Sequence, residues 1–222
     1  METHFDHDLG ELKQKLLAMA SQSEKAVNLA VQALVQRDHD LAIKVKEDDD
    51  VIDRYELEID ELAIGLLTRA PLASNLRLVT TAMKISQNLE RVGDEASKIA
   101  KRARDLSEEA PVRIQVDLPR LARLALDLLK TSLDCFVQAD SAAARALIPE
   151  DKQVDALNKE ITRQLVDYMS THSESIARCL HLITVSRSLE RIADHAKNIA
   201  EDVVYLYEAQ DIRHTQAQGS TN

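Results

Sequence analysis

The sequence predicts an all-α protein made of two tandem antiparallel three-helix bundles, six helices in all, related by a pseudo-two-fold axis. Three observations carry that expectation. Glycine and proline number four each and aromatic residues make up only 3% of the chain. Such a balance disfavours strands, which want β-branched and aromatic side chains, and favours long helices. Apolar residues recur at helical spacing through long uninterrupted stretches. Finally, the chain matches itself.

The self-match is closest between Ser86-Gln-Asn-Leu-Glu90-Arg-Val-Gly-Asp94-Glu-Ala-Ser-Lys-Ile-Ala100 and Ser186-Arg-Ser-Leu-Glu190-Arg-Ile-Ala-Asp194-His-Ala-Lys-Asn-Ile-Ala200. Eight of these fifteen positions are identical at an offset of 100 residues. Upstream the offset is 102, pairing Val35 and Gln36 with Val137 and Gln138, Asp38 with Asp140, Asp49 with Asp151, Asp53 with Asp155, and Ile59 with Ile161. Between the two blocks the second copy lost two residues, where a turn is expected. One register held across two long blocks points to duplication.

Each copy then reads as three helices. The first spans about Leu9 to Arg37, with Leu12, Leu16, Met19, Ser23, Ala26, Ala30 and Leu34 along one stripe. Asp38 caps a second helix that continues to about Arg69. Ala70-Pro71 ends it, because proline disfavours helix in the residue before it. Ser74 or Asn75 caps a third helix ending near Ser107. Helices four to six start near Leu118, Asp140 and Ser173 and end near Ala209, leaving a polar tail from Asp211 to Asn222. Pro149 stands where the first copy has Glu47, and should kink the fifth helix by freeing the carbonyl of Arg145. The expected organisation is a first repeat over 1–107, a linker over 108–117 and a second repeat over 118–222.

Composition also excludes function classes. A net charge of −10 disfavours a nucleic-acid surface, where phosphates reward Lys and Arg. No basic-then-apolar segment opens the chain, and nothing approaches the roughly 18 apolar residues that span a bilayer, so direct membrane insertion is not expected. Cys135 and Cys179 lie among apolar helical residues and read as buried free thiols in a reducing, cytoplasmic setting. There is no phosphate-cradling glycine loop and no nucleophile–base pair, so catalysis is not expected.

The acidic residues carry the candidate chemistry. Glu90 and Asp94 share one face of the third helix, and Asp49 and Asp53 share one face of the second. In an antiparallel hairpin, residues equidistant from the turn lie at one height. Asp53 with Glu90, and Asp49 with Asp94, both centre on 71.5; Asp155 with Glu190, and Asp151 with Asp194, both centre on 172.5. Each hairpin can therefore bring four carboxylates together at one level if the faces also agree, and there they repel one another unless a cation sits among them. Hard oxygen donors suit Mg, Mn, Fe or Ca better than a structural zinc site. His195 could add a nitrogen, although a surface position is its commoner reading. Solvated acids paired with Arg91, Lys98, Arg191 or Lys197 are the plain alternative.

Glu90-Arg-Val-Gly-Asp94 and Glu190-Arg-Ile-Ala-Asp194, each preceded by Leu, resemble the signature of the PhoU family. So do Leu76-Arg77-Leu78-Val79 before the first motif and Gln210-Asp211-Ile212-Arg213-His214 after the second. The resemblance covers nearly the whole chain. It implies two three-helix bundles with multinuclear metal sites at Glu90 and Asp94 and at Glu190 and Asp194, for divalent or trivalent ions (Fe, Mn, Mg or Zn). It also implies a homodimer and negative regulation of phosphate uptake and of phosphate-starvation signalling, by linking a phosphate ABC transporter to a membrane-bound sensor histidine kinase. The family often carries another acid three residues after the first motif's Asp. Here Ser97 stands there, and Lys197 stands at the corresponding second position. A carboxylate-bridged metalloenzyme is the alternative function, weakened by the absence of Glu-x-x-His; a helical scaffold with solvated acids is a third.

Overall fold

The computed structural model describes residues 4–69 and 72–213. Helix α1 (His4–Gln36) buries Leu12, Leu16, Met19, Ser23, Val27 and Ala30 on one stripe. Ala26 and Leu34 lie half-buried beside it. The chain leaves α1 through Arg37 in the left-handed region, φ 55°. Asp38 Oδ1 then accepts from the Leu41 amide at 2.9 Å and starts α2 (His39–Glu47).

The second copy repeats this chemistry residue for residue. Helix α5 (Leu118–Gln138) ends in Ala139 at φ 58°. Asp140 Oδ1 accepts from the Ala143 amide at 2.9 Å to start α6 (Ser141–Leu147). In both copies the aspartate amide reaches back to a carbonyl of the preceding helix, Ala33 or Cys135, at 3.0 Å. These bonds satisfy carbonyls that a helix end leaves open.

The second helix of the first copy departs from the sequence reading. It does not run unbroken from Asp38 to Arg69; it stops at Glu47 and restarts beyond Asp48 as α3 (Asp49–Leu67). Consecutive aspartates disfavour the negative C-terminal end of α2 and suit the positive N-terminal end of α3. In the second copy Pro149 sits in a 3-10 turn, Ile148–Glu150, between α6 and α7 (Asp151–Thr171). The two breaks fall at equivalent positions. Each places an aspartate, Asp49 or Asp151, in the first turn of a helix.

Helix α4 (Ala73–Ser107) is not capped by Ser74 or Asn75. Leu72 caps it, two residues before Ser74, with its carbonyl taking the amides of Asn75 and Leu76. The expected turn residues Ala70 and Pro71, and the tail from 214 to 222, lie outside the described residues. A second 3-10 turn, Ser173–Ser175, precedes α8 (Ile176–Glu208). Between α4 and α5 the connecting segment packs Val112, Ile114 and Val116 onto the core. It is tied down by Arg178 Nη1 on the Ala110 carbonyl at 2.8 Å and by Arg37 on the carbonyls of Leu106 and Glu109. Asp117 caps α5 through the Arg120 amide, a cap the helical pattern did not reveal.

Helices α4 and α8 meet at the centre and run antiparallel. Lys84 pairs with Asp202, Asn88 with His195 and Glu95 with Arg191, so numbers rise on one helix as they fall on the other. Asn88–His195 and Ser188–Glu95 are the same contact with the copies exchanged, which is the expected pseudo-two-fold relation. One apolar cluster runs through both repeats, from Leu12 to Leu206. Cys135 and Cys179 are buried and unpaired. Among the described residues no strand forms, and no helix is long and apolar enough to cross a membrane.

Candidate metal centres

In the first repeat the α3–α4 hairpin places Asp49 and Asp53 within electrostatic reach of Glu90 and Asp94. Burial pushes the Asp49 carboxyl up; a hydrogen bond from Ser97 opposes that, and the charges of Asp53 and Asp94 add to it. The Ser97 hydroxyl lies 2.8 Å from Asp49 Oδ2. Burial also pushes Glu90 up, followed by Asp94, Glu56 and Asp53. Glu56 is thus a fifth acid of this group, one turn after Asp53 at i+3 and so outside the i,i+4 spacing. Asp94 faces outward, with Lys98 Nζ 4.0 Å away.

The second repeat gathers Asp151, Asp155, Glu190 and Asp194 in the same way. Glu190 is pushed up by burial and then by Asp194, Asp155 and Asp151. Asp194 is pushed up by burial and then by Asp151, with Lys197 pulling the other way. Asp151 is 4% exposed. Its Oδ2 lies 3.2 Å from Lys197 Nζ, while its Oδ1 is buried with no hydrogen-bond partner. Position 158, the counterpart of Glu56, is Asn158, whose Oδ1 accepts from Ser186 at 2.6 Å.

His195 belongs to neither quartet and is not a surface residue. It is half-buried between the repeats, with Nδ1 3.0 Å from Asn88 Oδ1. Burial holds its pKa below the ordinary value, helped by Arg91. It lines a polar cleft of about 760 Å³ between α4 and α8, with Glu90, Asp94, Asp194, Arg91 and Arg191 also in its walls. Glu95, overlooked in the sequence, is 4% exposed. Burial pushes its carboxyl up, but hydrogen bonds from Ser188 and Lys98 outweigh that and hold it below the usual range. Lys98 at 2.9 Å and Arg191 at 3.2 Å both reach its Oε1. It locks the interface instead of joining a cluster, because it follows Asp94 directly and so points about 100° away around the helix.

Chemically, both quartets are hard oxygen donors whose mutual repulsion a cation would relieve. Among the described residues no three Asp, Glu, His or Cys side chains already surround one point as a bound ion would require. The orphaned Oδ1 of Asp151 is the one buried acceptor in either quartet that still lacks a donor.

Fold and sites together define a class: tandem helical-bundle proteins with an acidic Glu-x-x-x-Asp motif on the last helix of each repeat. The PhoU domain matches residues 16–103 and 118–203. The chain belongs to the PhoU family. It is similar to the phosphate-specific transport system accessory protein PhoU homolog of Pseudomonas aeruginosa, 42% identical over 95% of this chain and 88% of that protein. The Escherichia coli accessory protein PhoU is 35% identical over 95% and 88%. Among solved structures, PhoU from Pseudomonas aeruginosa superposes with a TM-score of 0.90 at 41% identity, covering 93% of this chain and 100% of that one. The phosphate transport system regulatory protein PhoU from Streptococcus pneumoniae gives 0.86 at 26% identity, covering 94% and 99%.

Proposed function

We propose that this chain is a non-enzymatic, cytoplasmic accessory protein that restrains phosphate uptake and phosphate-starvation signalling. It links a phosphate ABC transporter to a sensor histidine kinase through protein contacts, acts as a homodimer, and carries metal ions at its two acidic quartets. The observation that carries the regulatory reading is similarity over the full fold to proteins named as accessory to phosphate-specific transport. Both repeats and both Glu-x-x-x-Asp motifs fall within the matched domains.

The metal part rests on the carboxylate quartets. Asp49, Asp53, Glu90 and Asp94 would hold ions in the first repeat, and Asp151, Asp155, Glu190 and Asp194 in the second. A bound ion would supply positive charge and draw the acids together, so that loading shapes the helical surface offered to partners. Asp49 and Asp151 are suited to this by their places at helix starts, which stabilise a carboxylate.

The test is made in cells of the source organism grown in high phosphate. Affinity capture of the tagged chain should recover the transporter's nucleotide-binding subunit and the sensor kinase. Loss of the gene should switch on a phosphate-starvation reporter despite plentiful phosphate. A silent reporter together with neither partner recovered would sink the regulatory reading.

A further inference from the structure

The two quartets are not electrostatically equal. The first comprises Asp49, Asp53, Glu90 and Asp94 with Glu56 beside them. In the second, neutral Asn158 replaces Glu56. Residue 97 donates a neutral hydroxyl to Asp49, whereas its counterpart Lys197 puts a full positive charge 3.2 Å from Asp151 Oδ2. Other nearby cations do not even this out. Arg91 and Arg191 are counterparts, and each lowers the proton affinity of the glutamate next to it. Lys98 reaches Asp94 only at 4.0 Å and has its close contact, 2.9 Å, with Glu95.

Asp151 is half satisfied. Lys197 takes Oδ2, and Oδ1 stays buried without a partner. A bare buried carboxylate oxygen is costly to keep, so the second quartet holds one acceptor without a donor while one cation is already built in. We propose that Lys197 is a resident counter-ion of the second quartet. It takes the place of one cation there, leaves Asp151 Oδ1 as an acceptor that a bound metal would satisfy, and weakens metal binding by charge competition. The inference rests on the metal reading above and goes beyond it by making the two repeats unequal.

The test isolates each quartet in the full chain. Asp49→Asn with Asp94→Asn leaves the second quartet alone, and Asp151→Asn with Asp194→Asn leaves the first. Free Mn²⁺ is followed by its electron paramagnetic resonance during titration, with helicity by circular dichroism as a folding control. Lys197→Ser in the second-only protein should strengthen Mn²⁺ binding about tenfold or more, the order expected for removing one adjacent unit charge. Ser97→Lys in the first-only protein should weaken it similarly. Lys197→Gln, which keeps an N–H donor for Asp151, serves if the serine variant does not fold. Unchanged or weaker binding after loss of the Lys197 charge overturns the inference and leaves the metal reading intact. No Mn²⁺ bound by wild type or any variant overturns both.

Discussion

Gly93 on α4 faces Ile52 on α3 so closely that a methyl at residue 93 would stand 2.8 Å from Ile52 Cδ1. The counterparts in the second repeat are Ala193 and Val154. One methyl has moved across the helix pair: the first copy carries it on residue 52, the second on residue 193. Asp49 Oδ1 lies 3.3 Å from the same point, so the missing methyl also sets how closely the first quartet can gather.

Gly93→Ala should therefore destabilise the protein by about 1–3 kcal/mol through overpacking. Adding Ile52→Val, which recreates the Ala193–Val154 pair, should recover most of that loss. Urea unfolding of the two single variants and the double variant measures the coupling. Simple additivity would show that the methyl exchange is not the reason for glycine here.

The left-handed residues that end α1, α5 and α8 are Arg37, Ala139 and Ala209, none of them glycine. A side chain costs about 1–2 kcal/mol in that conformation. Ala139→Gly should raise stability by about 1 kcal/mol, partly offset by the greater freedom of glycine in the unfolded chain. The readout is the urea midpoint at unchanged slope.

The quartets make stability depend on pH when metal is chelated. Asp49, Glu90, Glu190 and Asp194 are all pushed up by burial and then by neighbouring acids. Between the unfolded and folded pKa values the folded chain binds more protons, so stability falls as pH rises through that window. In EDTA the melting temperature should drop as the pH rises above about 4, the unfolded carboxyl value. Asp49→Asn with Glu90→Gln should flatten the drop. Glu95 acts oppositely: its depressed pKa gives stability present above the unfolded value and lost as pH falls through the folded one. Glu95→Gln should therefore reduce the acid sensitivity below about pH 4.5.

Neutralising both motif pairs (Glu90→Gln, Asp94→Asn, Glu190→Gln and Asp194→Asn) should abolish metal retention while leaving the helices formed. Relief of repulsion should stabilise the metal-free protein. Metal analysis after purification without chelator, beside circular dichroism, checks this. Full metal content in the fourfold variant would reduce the quartets to solvated acidic faces.

The native mass should be twice the 24.8 kDa of one chain, as a homodimer requires. Light scattering across a wide concentration range decides it, and a constant monomer mass would remove the dimer from the functional reading.

The duplication, the helical content and the hairpin heights were legible in the sequence, because all three depend on spacing along the chain. Equal distance from a turn fixes level in an antiparallel pair, so the shared midpoints of Asp49 with Asp94 and of Asp151 with Asp194 could be counted. Asp38 and Asp140 announced their helices because capping is a local contact, closed within three residues. What faces what from helix to helix is not a local property. Asn88 meeting His195, Glu95 holding Arg191, and Lys197 turning onto Asp151 span from 46 to 107 residues of sequence. They depend on how α4 and α8 cross, on how α7 packs against α8, and on how each side chain rotates about its own helix. Only the packed structure decided that Lys197 is a counter-ion and His195 an interface residue, because those roles come from burial and from partners on other helices.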